Sequence, residues 1–71
     1  TNRLLVKSVD TLLHSDSEGT AMVKVDNMNL DMPTNGRRKV RCNHSTDRIE
    51  VEVDSTYRFE LAGIALEVAD L

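Results

Sequence analysis

The chain has 71 residues and a formal net charge of −3, so it is read as one domain, 1–71, near the size where a hydrophobic core is barely sufficient and only about 60% of the unfolded surface is buried. Its single cysteine excludes an internal disulfide and a cysteine-based zinc site, and no apolar run approaches the ~18–20 residues that cross a membrane. Aromatic content of 3% leaves Tyr57 and Phe59 alone, too few for a stacking platform under single-stranded nucleic acid.

Residues 3–13 read as an amphipathic helix. Leu5, Val9, Leu12 and Leu13 recur at i, i+4, i+7 and i+8, with Arg3, Lys7, Asp10 and His14 on the opposite side. Thr1 or Asn2 would cap its start. A strand over Leu4 to Val9 is the alternative, but it would split the apolar residues between two faces. The polar stretch from His14 to Thr20 follows as a short loop. Met22 to Asp26 begins the first strand, with Val23 and Val25 inward. The apolar phase then jumps to Met28, Leu30 and Met32, the one-residue slip that a β-bulge at Asp26-Asn27 produces. Pro33 closes this long, bent strand where no ladder donor is required.

From Leu30 to Val68 the pattern predicts four tight turns joining five short strands. Thr34-Asn35-Gly36 suits a three-residue loop with glycine in the left-handed position. The His44-Ser45-Thr46-Asp47 loop folds the next hairpin, setting Val40 against Val51 and Cys42 against Ile49. On the other face Lys39 meets Glu52 and Arg41 meets Glu50, each opposite-charge pair contributing about 0.2–1 kcal/mol. Asp54-Ser55-Thr56 and Ala62-Gly63 close two further hairpins, so that Leu30, Val40, Val51, Phe59 and Leu66 form one row. The row Asp31, Lys39, Glu52, Arg58, Glu67 then alternates in sign. A helix over Tyr57 to Leu71 competes, but it would strand Phe59 and Leu66 on its polar side and place Gly63 in mid-helix. The expected fold is mainly β (α+β by count): an N-terminal helix followed by a five-stranded antiparallel meander, the plan of the small Sm-like and SH3-like barrels. That plan hosts many functions.

No catalytic constellation stands out. His44, Ser45 and Asp47 are the residue types of a hydrolase triad, but neighbours in one loop seldom reach triad geometry, and the residues read as a hydrogen-bonding turn. His14, Asp16 and Glu18 read as a solvated turn before a metal site. Cys42 points inward as a small hydrophobe. Neither cofactor nor metal is expected. Residues 37–48 hold five basic side chains against one acidic one. The ladder cancels Lys39 and Arg41, leaving Arg37, Arg38 and Arg48. Arg37 and Arg38 beside Met32 at the sheet edge would form a partner-binding patch, since arginine next to an exposed apolar side chain is common at binding hot spots.

The sequence therefore points to a non-enzymatic regulator, inhibitor or adaptor that docks on a larger protein. The alternatives are an RNA- or DNA-binding small barrel using Arg37, Arg38, Arg48 and the 44–47 loop, and a structural homo-oligomer subunit. With no secretory leader visible, the expected compartment is the cytoplasm.

Overall fold

A computed structural model describes residues 3–70. Every regular element among them is a β-strand: β1 (Leu4–His14), β2 (Thr20–Val25), β3 (Met28–Pro33), β4 (Gly36–Thr46), β5 (Val51–Asp54) and β6 (Glu60–Asp70). They form two antiparallel three-stranded sheets, a long one in the order β4-β1-β6 and a short one in the order β3-β2-β5. The molecule extends 42 × 17 × 15 Å, a length set by the three 11-residue strands at about 3.3 Å per residue.

The two central strands carry the core. In β2 the alternation is strict, with Ala21, Val23 and Val25 buried and Thr20, Met22 and Lys24 outward. In β1, Val6, Val9 and Leu13 are fully buried, and Met32 of β3 joins them. Each such side chain contributes about 1.5–3 kcal/mol by leaving water. The sandwich is tied at one end by Thr34, itself fully buried. Its hydroxyl donates to Ser17 O at 2.9 Å and accepts from Gly19 N–H at 3.0 Å, pinning the β1–β2 loop to the β3–β4 link.

Several expectations are overturned. The helix over 3–13 is β1, and the caps expected at Thr1 or Asn2 lie outside the described residues. The cause is a register shift between Val6 and Ser8. It moves the inward set from Leu4 and Val6 to Val9, Thr11 and Leu13, which imitates helical spacing. Leu12 lands half-buried on the outer face instead of in the core. The meander and the closed barrel are also absent. β4 pairs with β1 and not with its sequence neighbours, setting Val40 against Val9 and Lys39 against Asp10. β5 crosses to the other sheet, where Val51 and Val53 lie beside Val25 and Val23.

Asp26-Asn27 is a two-residue hairpin turn joining β2 to β3, not a bulge; Val25 faces Met28, and Asp26 takes the positive φ of 54° that tight hairpins favour. Ala62 and Gly63 lie inside β6, where a second register shift, between Leu12 and Leu13, accommodates Ala62. The competing helix over 57–70 does not form either. The expected end of a strand at Pro33 and the positive φ at Gly36, 123°, are both observed.

Candidate functional site

The expected patch does not assemble. Arg37 and Arg38 are neighbours on β4 and both exposed, but they leave the strand on opposite faces, level with Leu12 and Thr11 respectively. Arg37 is engaged by Asp10: its Nη2 donates to Oδ2 at 2.6 Å and its Nε reaches both carboxylate oxygens at 3.1–3.2 Å. That hydrogen bond, with the charges of Arg37 and Lys39 adding to it, holds the Asp10 carboxyl below its usual range. Arg38 Nη1 donates to Asp31 O at 3.3 Å. Met32 is fully buried in the core, because β3 turns it toward Ala21. It is a packing residue and cannot be a surface contact. Arg48 pairs with Glu50 at 2.9 Å, so two of the three uncompensated arginines expected from sequence meet a carboxylate.

A second feature is a shallow polar groove of about 390 Å³ lined by Arg3, Asp26, His44, Thr46, Arg48 and Glu50 among others. His44 Nε2 lies 3.7 Å from Asp26 Oδ2. Asp26 Oδ1 accepts from Glu50 N–H at 3.2 Å, while Oδ2 is buried without a hydrogen-bond partner. The Thr46 hydroxyl beside it has one proton, which goes to Arg48 O at 2.6 Å. Turned toward Asp26 instead, that rotatable hydroxyl is the first of the influences that hold the carboxyl low; Glu50 N–H and the charges of His44 and Arg48 add to it, against the opposing effect of burial. No nucleophile completes the pair. Ser45 lines the same groove, but its hydroxyl accepts from Arg3 Nε at 3.1 Å and not from His44. His14, Asp16 and Glu18 stay exposed, and no cluster of metal-binding side chains exists among the described residues. Cys42 is half-buried and its thiol donates to Val6 O at 3.3 Å.

The third feature is the flank bounded by β5 and β6. These strands are edges of different sheets and do not pair. On the opposite flank β3 and β4 touch, and Arg38 bridges them. The difference shows in exposure. Val51 shares a row with fully buried Val25, Leu61 with Leu13 and Val68 with Val6, and Ile64 with nearly buried Thr11. All four therefore lie on inward faces, yet they remain 36% to 44% exposed. Midway along the outer face of β6, Gly63 and Ala65 leave Leu12 half-exposed in a shallow depression of about 280 Å³ that the Asp10–Arg37 pair also borders. β6 carries Glu60, Glu67 and Asp70 with no basic residue or proline, so it lacks the lysines and prolines that usually blunt an edge. Its composition, ELAGIALEVAD, was the available signal. Reading Ala62-Gly63 as a turn divided it into two strands and concealed one long edge.

Compared with known protein families, curated proteins and solved structures, the chain matches none.

Proposed function

We propose that the protein is a non-enzymatic binding module, a regulator or adaptor of the cytoplasm, that docks on another protein through its β5/β6 flank. An extended segment of the partner adds to the free edge of β6. Main-chain hydrogen bonds supply affinity, and side chains entering between Leu61, Ile64, Val68 and Val51 supply selectivity. One observation carries this reading: inward-facing apolar residues are left half-exposed along an 11-residue strand whose outer edge pairs with no strand among the described residues. Contiguous exposed apolar side chains of this kind support reading the flank as an interaction surface. The nucleic-acid reading is weakened because Arg37 and Arg48, two of its residues, already meet carboxylates.

A photo-crosslinking side chain placed at position 64, and for comparison at outward-facing position 22, tests the surface in the source cell. Adducts from position 64 and none from position 22 are expected. Equal adducts from both positions, or none from 64, would overturn the flank as the docking surface.

A further inference from the structure

The occupant of that edge can be argued further, on the assumption that β6 is the docking edge. We infer that the strand it takes is β4 of a second copy, so that the protein assembles head to tail. The two outer edges of the long sheet are opposite in charge. β4 holds Arg37, Arg38, Lys39 and Arg41 with no acidic residue, whereas β6 holds three carboxylates with no basic residue. Pairing β6 with another β6 gathers like charges, as does pairing β4 with another β4; only the mixed pairing is complementary. Specificity of this kind rests as much on the repelled pairings as on the attracted one.

The rows of the sheet already set a register. Across β1, Val40, Val9 and Leu66 form one row, and Arg41, Ser8 and Glu67 form the next. β4 and β6 are both antiparallel to β1, hence parallel to each other. A second copy displaced sideways by one sheet width, apart from the twist of the sheet, sets Leu66 beside Val40 and Glu67 beside Arg41. Ile64 then lies along the aliphatic stem of Arg38, whose charged end stays in water. The matched stretch runs from Gly63 to Glu67 against Arg37 to Arg41, between the register shifts at Ala62 and at Asn43. Of these basic residues, Lys39 and Arg41 make no side-chain hydrogen bond among the described residues that would have to break. The one like-charged pair created, Asp54 with Asp31, lies on the outer face of the shorter sheet beside Met22, where water and salt screen it. Such a contact is heterologous and does not close, so copies add indefinitely.

Sedimentation velocity across a concentration series at low salt tests this, using the wild type, Arg41→Glu, Glu67→Arg, the double variant and an equimolar mixture of the two single variants. Wild-type mass is expected to rise past dimer with concentration and to fall back with added salt. Each single variant should need about fivefold or more concentration to reach the same mass. The double variant and the mixture should recover, because each restores an opposite-charge pair at every contact. A dimer unaffected by Arg41→Glu would assign the edge to β6–β6 pairing and overturn the inference, as would a monomer at all concentrations. Crosslinking from position 64 separates the two levels. Adducts only with a different protein leave β6 as the docking edge and remove the second copy as its occupant.

Discussion

The long sheet has two edges of equal length and opposite upkeep. β4 is tied into its own molecule. Arg37 reaches back over the sheet to Asp10, Arg38 bridges to β3, and Asn43, at φ 49°, breaks the edge, a conformation that asparagine tolerates better than most residues. β6 makes no such connection to the short sheet. Its half-exposed Ile64 and Val68 look across at a four-residue β5 too short to cover them. Both edges rest on the same central strand, so the contrast lies in what covers each flank and not in what each strand pairs with. A basic edge interrupted by a bulge resists pairing with a copy of itself, whereas an apolar edge that carries only carboxylates accepts a strand of opposite charge.

The largest effect that bears on this contrast runs along a single row. Leu13 and Leu61 face each other across the β1–β6 ladder, one fully buried and the other 44% exposed. Leu13→Ala should cost about 2–5 kcal/mol in denaturant unfolding, and Leu61→Ala no more than about 1 kcal/mol. Equal losses would mean that the flank is closed. Next comes the tied end. Thr34→Val removes the hydroxyl that serves Ser17 O and Gly19 N–H and should cost about 1–3 kcal/mol through the groups left unpaired.

A pH effect follows from the two depressed carboxyls. Asp10 and Asp26 both titrate below their ordinary value of 3.8 in the folded chain. The stability they lend is thus present above that value and lost as pH falls through their lower folded values. Asp26→Asn keeps the left-handed turn and the acceptor for Glu50 N–H while removing the charge. Its thermal midpoint should fall less than that of wild type between pH 6 and about pH 2–3; an unchanged acid dependence would remove Asp26 from this role. The smallest effect concerns register. Lys39→Glu sets like charges against Asp10 and should lower the midpoint by only a few degrees, on the order expected of a cross-strand pair. Adding Glu52→Lys should recover nothing, since Glu52 lies opposite Lys24 in the other sheet. Recovery would place β4 beside β5.

Much of the strand content was legible, and little of the pairing. Alternation in β2 and β4 is visible because a side chain on a pleated strand must choose one face. Which strand lies alongside is a long-range fact, and the residues admit more than one answer. Lys39 finds an acidic neighbour whether it faces Glu52 or Asp10, and Val40 finds a valine in Val51 or in Val9. The charge ladder that supported the meander was thus genuine complementarity assigned to the wrong strand. The register shift at Lys7 and Ser8 disguised β1, and the turn at Asp26-Asn27 looked like a bulge because both change the apolar phase by one residue. At the site, exposed Arg37 and Arg38 were foreseeable from charge, but their engagement by Asp10 and Asp31 was not. The open flank was hidden because its existence depends on β5 and β6 lying in different sheets.

Amide hydrogen exchange across residues 60–70, followed residue by residue on a dilute sample, tests the unpaired β6 edge most directly. With β1 as its only partner, alternate amides of Ile64 to Val68 should be slow and the intervening ones fast, and the fast set should slow as concentration rises. Uniform protection of both sets at high dilution would contradict it, because β6 would then have a second partner within the same chain.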